Sequence, residues 1–145
     1  MGYIREIPIK LVSLNEYVNM CRTNRYMASA YKRKVEKEIG EHIKTLPTFE
    51  KPVQIDFLWV ERNNRRDYDN IAFGKKFVLD ALVKSGKFKD DNRKYVIGFT
   101  DSFAIGPDYK VVIDIREVEI ADLRAEKGKA DKLIDERTKV LQRGE

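Results

Sequence analysis

The chain is poor in the residues that cross-link or coordinate. Of its 145 residues one is cysteine, Cys21, and one is histidine, His42. A single cysteine excludes an intramolecular disulfide, and the chain is expected to suit a reducing cytosol. A single histidine excludes the Cys/His spacings of structural zinc sites. His42, between Glu41 and Ile43 in a helical stretch, reads as a surface residue. No apolar run approaches the roughly 20 residues of a membrane span, and the opening MGYIREIPIK has no apolar signal core. A cytoplasmic protein without a membrane partner is expected. Internal repeats and low-complexity tracts are also lacking.

What is abundant is charge. There are 29 Lys and Arg against 24 Asp and Glu, a formal net of +5. The excess is concentrated. Arg62 to Lys94 holds ten basic and five acidic residues, and Arg22 to Lys44 holds seven and three. Two basic stretches in one domain suggest a polyanionic partner, nucleic acid first, with a solvated surface as the plain alternative. Hydrophobic residues make up 42%, enough for a core.

The patterning gives strand, helix, strand, helix, strand, strand. Residues 3–11 alternate and read as a strand placed at an edge or bend by Pro8. Ser13 and Asn15 are candidate caps for two helical pieces over 14–45. In the second piece Met27, Tyr31, Val35, Ile39 and Ile43 form an apolar stripe, leaving Lys32, Arg33, Lys34 and Lys37 displayed. A loop bracketed by Thr48 and Pro52 leads to a strand over 52–61, whose inward residues are Val53, Ile55, Phe57 and Trp59. A polar loop precedes a helix from Ile71 to Ser85, stopped by Gly86. Residues 94–105 and 109–120 read as two strands about a Gly106-Pro107-Asp108 turn, which predicts a hairpin. The expected class is α+β: a small mixed four-stranded sheet, two main helices packed on one face, over residues 1–120. Residues 121–145, with sparse apolar positions (Leu123, Leu133, Ile134, Leu141), read as a charged helical or frayed tail.

Asp67 and Asp69 are two apart at the mouth of a helix, where N–H groups and the dipole favour anions. Asp90 and Asp91 follow the far end of that helix and fold back beside them if the neighbouring strands pair. Converging carboxylates need a counter-charge. Mg²⁺ suits such a site and activates water for phosphodiester hydrolysis. Arg65, Arg66, Lys75, Lys76, Lys87 and Lys89 frame this centre and are expected to hold a DNA backbone. Arg22, Arg25, Tyr17 and Tyr26 are further groove candidates, or else packing residues. Asp80 is either a fourth acid or a structural group. A D-x-D-N segment is equally a helix cap or Asx turn.

The run Arg65-Arg66-Asp67-Tyr68-Asp69-Asn70, then Lys76, Asp80-Ala81-Leu82, Gly86 and Asp90-Asp91, resembles the RusA family of Holliday junction resolvases. It covers residues 65–91, with a weaker extension at Ser13-Leu14-Asn15-Glu16-Tyr17. The resemblance implies a RusA-like fold and a homodimer that cuts four-way DNA junctions symmetrically with Mg²⁺ or Mn²⁺ in recombination and repair, often phage-encoded. It implies Asp67, Asp69 and Asp91 as metal-binding catalytic carboxylates and Lys76 as the catalytic lysine. Compared with the best-known members, three residues stand inserted between Asp69 and the lysine. On a continuous helix a spacing of seven keeps Lys76 within about 20° of Asp69's face, which favours Lys76 over Lys75. The alternatives are a structure-selective DNA-binding protein without catalysis, and an interaction protein whose charges only solubilise it. With no histidine or serine–base pair in the motif, direct hydrolysis without a covalent intermediate is expected.

Overall fold

A computed structural model of the chain describes residues 2–142. The elements run β1 (Gly2–Ile7), α1 (Leu14–Thr23), α2 (Arg25–Ile43), β2 (Val53–Glu61), α3 (Tyr68–Ala72), α4 (Lys75–Lys84), β3 (Val96–Ile105), β4 (Lys110–Glu117) and α5 (Ile120–Gln142). The four strands form one mixed sheet in the order β1-β4-β2-β3, with β2 and β3 parallel and the other pairs antiparallel. This is the α+β class expected from the sequence.

Local chemistry sets most boundaries. β1 ends at Ile7 because Pro8 has no N–H for the ladder. The chain then runs irregularly, with Ile9 and Leu11 still buried, to a capping box. Ser13 Oγ accepts from Glu16 N at 3.1 Å, and Glu16 Oε1 accepts from Ser13 N at 3.5 Å. Asn24 splits the helical stretch: its backbone is extended, and its Oδ1 accepts from Tyr26 N and Met27 N. Val35, Ile39 and Ile43 of the predicted stripe are buried, but Met27 is 50% exposed and Ala28 is buried instead.

The helices cover one face of the sheet. Val53, Ile55, Phe57 and Trp59 of β2 and Val111, Ile113 and Ile115 of β4 pack against Val35, Ile39, Ile43, Phe77, Val78 and Leu82. Each such side chain contributes about 1.5–3 kcal/mol by leaving water. The other face carries Asp56, which accepts from Thr100 and Arg116.

The expected β3–β4 hairpin does not form. The chain does reverse at Gly106-Pro107-Asp108, but β2 lies between the two strands. Val111, Ile113 and Ile115 give β4 a fully apolar inner row, which suits the sheet interior. β3 presents Phe99, Asp101, Phe103 and Ile105 on the same side and takes the edge. The connection passes over the end of β2, where Gly106 N donates to Glu61 O at 2.8 Å. A Cβ on Gly106 would lie 2.9 Å from Val60 Cγ1, so the crossing is shaped for glycine. In α5 every side chain that is described is exposed.

Candidate active site

The carboxyl ends of the parallel strands β2 and β3 open into a cavity of about 410 Å³, lined among others by Glu61, Arg66, Asp67, Tyr68, Ile71 and Phe103. Parallel strands favour sites at this end, because their connections diverge there. Tyr68 is fixed against β3 by stacking on Phe103, with centroids 4.2 Å apart and planes 20° apart. Asn70 accepts from Asn15 N at 3.2 Å, tying the start of α1 to α3.

Asp67 occupies the N-cap of α3 with extended backbone, yet its side chain makes no cap hydrogen bond. Asp69, in the first turn, is also exposed. Neither carboxylate has a hydrogen-bond or ion-pair partner among the described residues. The neighbouring acids differ. Glu61 takes Arg66 through both oxygens, at 2.7 and 2.8 Å. Asp101 of β3 accepts from Lys75 Nζ at 2.7 Å and Trp59 Nε1 at 2.9 Å.

The predicted helix over 71–85 is two helices, α3 and α4, broken at Phe73-Gly74. Gly74 packs so closely that a Cβ would lie 2.8 Å from Leu11 Cδ1 and 3.1 Å from Trp59 Cζ3. Phe73 and Gly74 keep right-handed helical backbone, but Gly74 N and Lys76 N donate to Ile71 O and Phe73 O, three residues back, so the turn is tighter and the phase relating Lys76 to Asp69 shifts. Lys75 and Lys76 part company at the start of α4. Lys75 turns inward to Asp101, with its ammonium 4.8 Å from the Phe99 centroid and 5.3 Å from that of Phe57. Lys76 turns to Asp80, 3.3 Å away, on a cleft of about 310 Å³ that also takes in Lys32, Lys84, Asp90 and Asp91.

Asp91 therefore shares a cleft with Lys76, while Asp67 lines the other cavity. Asp90 accepts from Asp91 N at 2.8 Å and from Asn92 Nδ2 at 3.1 Å, and the Asp91 carboxylate has no partner among the described residues. Among the described residues, no group of three or more His, Cys, Asp or Glu side chains is placed to hold a metal ion. The expected three-way convergence of Asp67, Asp69 and Asp91 is thus not present in this arrangement. Asp67 and Asp69 remain exposed carboxylates of the donor type that a small hard cation takes, one or two at a time with several waters.

Of the expected DNA-facing cations, Arg65, Lys89 and Arg22 are exposed with no side-chain partner among the described residues, and Arg25, near the α1–α2 junction, is exposed too. The Arg25 guanidinium lies 5.4 Å from the ring of Tyr26, itself 72% exposed. Arg66 and Lys87 are committed elsewhere. Besides Glu61, Arg66 donates to Leu11 O at 2.7 Å. Burial disfavours its charge, but the hydrogen bonds and attraction of Glu61 outweigh this and hold its pKa above the ordinary value. Lys87 Nζ donates to Lys44 O and Leu46 O, stapling the loop between α2 and β2. Tyr17 packs against Phe73 and Phe77 beside the core.

No protein-family model matches the chain, and no curated protein does. Two residues near these sites carry little signal in the sequence. Asp101 gives a faint one, as an acid at an inward position between Phe99 and Phe103. Glu36 sits inside a basic helix with no sign that it is buried.

Proposed function

We propose that this chain is a metal-dependent endodeoxyribonuclease of the Holliday junction resolvase kind, cutting branched DNA with Asp67 and Asp69 at its centre. One observation carries the reading. Glu61 of the cavity and Asp101 of β3 are matched to protein cations, whereas Asp67 of the cavity and Asp69 of α3 are left unpaired among the described residues and exposed. A cap role is not what Asp67 performs, so an external cation is the natural partner for the pair.

Mg²⁺ or Mn²⁺ would be held by Asp67 and Asp69, and when bound supplies Lewis acidity toward a phosphodiester and lowers the pKa of an attacking water. Lys76, 60% exposed on its side chain, is free to swing from Asp80 to a phosphate oxygen. Asp91 stands beside it as an acid of the neighbouring cleft, and Arg65 and Lys89 bind backbone phosphates. A homodimer with two-fold symmetry offers two such centres to a junction of approximate two-fold symmetry.

The test is incubation of a labelled four-way junction, with linear duplex as control, in Mg²⁺, in Mn²⁺ and with chelator. Paired symmetric nicks confined to the junction are expected, abolished by chelator and by Asp69→Asn. A fully active Asp69→Asn protein sinks the reading. The exposed cations Arg22, Arg65 and Lys89, without side-chain partners among the described residues, support a second reading as well, a junction-binding protein that does not cut. It predicts tight junction binding and intact DNA in every divalent metal.

A further inference from the structure

The seam between α2 and α4 carries a row of charges in which the acids are sunk and the bases stand out. Glu36 of α2 has a side chain only 4% exposed, and it is flanked by Lys32, 3.6 Å away, and by Lys84 of α4, whose ammonium donates to it. Asp80 of α4, 18% exposed on its side chain, takes Lys32 at 2.9 Å and Lys76 at 3.3 Å. Two buried or half-buried carboxylates thus hold three ammonium groups in line. The outer members of the row, Lys84 and Lys76, are 61% and 60% exposed. What solvent meets is therefore positive.

Two further cations extend the row. Arg33 and Lys37, one helical turn apart on α2, line the adjoining cleft of about 310 Å³, on which Lys84 also stands. Both are exposed and have no partner among the described residues. Glu36 Oε1 makes no hydrogen bond. An acid buried at that cost is better explained by organising the lysines above it than by stability alone, since a buried ion pair is a weak source of stability.

We propose that this α2–α4 seam is a backbone-binding track for a duplex arm of the DNA, with Arg33, Lys37 and Lys84 contacting successive phosphates. The proposal rests on the nuclease reading for its choice of DNA. From Lys76 to Lys84 the helix rises about 12 Å, at 1.5 Å per residue. That matches the axial rise of roughly three to four base pairs of duplex at 3.4 Å each. The track ends at Lys76, Asp90 and Asp91. A strand lying along it is thereby led toward the cleft to which the nuclease reading assigns Lys76.

The experiment is fluorescence anisotropy with a labelled four-way junction and a labelled duplex across a salt series in chelator, comparing the parent with Arg33→Ala/Lys37→Ala. Neither side chain is tied to another described residue, so thermal unfolding should be unchanged. The slope of log affinity against log salt is expected to fall by roughly 1.8, about 0.9 for each phosphate that is no longer neutralised. The double variant Lys127→Ala/Lys132→Ala on α5 removes equal charge elsewhere and is expected to leave the slope near the parent value. An unchanged slope in the first variant, equal changes in both variants, or polyglutamate competing as well as DNA would each overturn the track. Failure of the nuclease reading looks different: the parent binds DNA with its usual slope in chelator, and the junction stays uncut when Mg²⁺ or Mn²⁺ is then supplied.

Discussion

Arg66 is the residue whose surroundings most change its expected part. Its guanidinium joins the end of β2, through Glu61, to the Leu11 carbonyl ahead of α1, and both side chains of the ion pair are less than one-fifth exposed. Breaking a mostly buried pair leaves an uncompensated charge. Glu61→Ala is expected to cost about 3 kcal/mol in urea unfolding, near the buried-pair range. Nuclease activity per folded molecule should survive. Asp80 and Asp56 add an acid limit. Burial pushes Asp80 up, but the Lys32 hydrogen bond and the Lys76 and Lys32 charges outweigh it and hold its carboxyl below the ordinary value. For Asp56 burial is likewise outweighed, by Thr100, Gln54 and Arg116. A carboxyl depressed in the folded state stabilises fully above its unfolded value. That contribution is lost as pH falls from about 4 through the folded value. Asp80→Asn should therefore be less stable than the parent at pH 6, with the gap closing toward pH 3, as measured by thermal unfolding. At this scale the sequence was legible for Asp67 and Asp69, because an acid pair at a helix mouth is a local pattern. It was mute on Arg66, Lys75 and Lys87. A long cationic side chain reaches several ångströms in any direction, and its partner is set by residues distant in sequence.

The α3–α4 corner shows what an element adds. Gly74 lets the corner approach Leu11 and Trp59 more closely than any other residue would. Gly74→Ala is expected to destabilise by about 1–3 kcal/mol, the usual cost of overpacking, as read by denaturant midpoint. If Leu11 repacks freely, the loss is absent and the corner is looser than it stands. The break itself was hidden in the sequence, because Ile71, Val78 and Leu82 keep an apolar face through it. Periodicity detects which side of a helix is buried. It does not detect a tightened turn that preserves that side. The predicted hairpin failed for a related reason: a Gly-Pro-Asp turn reports that the chain reverses, not which strand becomes its neighbour. That choice went to the more apolar inner row, Val111, Ile113 and Ile115 of β4.

For the whole molecule, composition and element order were enough to give a small mixed sheet with helices on one face. The far end of the chain behaves separately. From Lys127 to Gln142 all of α5 is exposed, including Leu133, Ile134 and Leu141. Truncation after Ala130 is expected to leave the thermal midpoint within about 2 °C of the parent, since little described surface is uncovered. A larger drop in dilute solution would mean that a second copy packs there.

The placement of β4 has a consequence during synthesis. It is made after the other three strands of the sheet, yet it lies inside the sheet and pairs with both β1 and β2. On the ribosome, β1 has no edge to join until residues 110–117 have left the exit tunnel. Until then α1, α2 and β2 wait with an apolar face uncovered. Sheet closure is thus a late event bridging more than a hundred residues of sequence, from Gly2 to Arg116. Long-range pairing of this kind slows folding. A nascent chain stalled before Lys110 should be digested by protease, and one extended well past Glu117 should resist it.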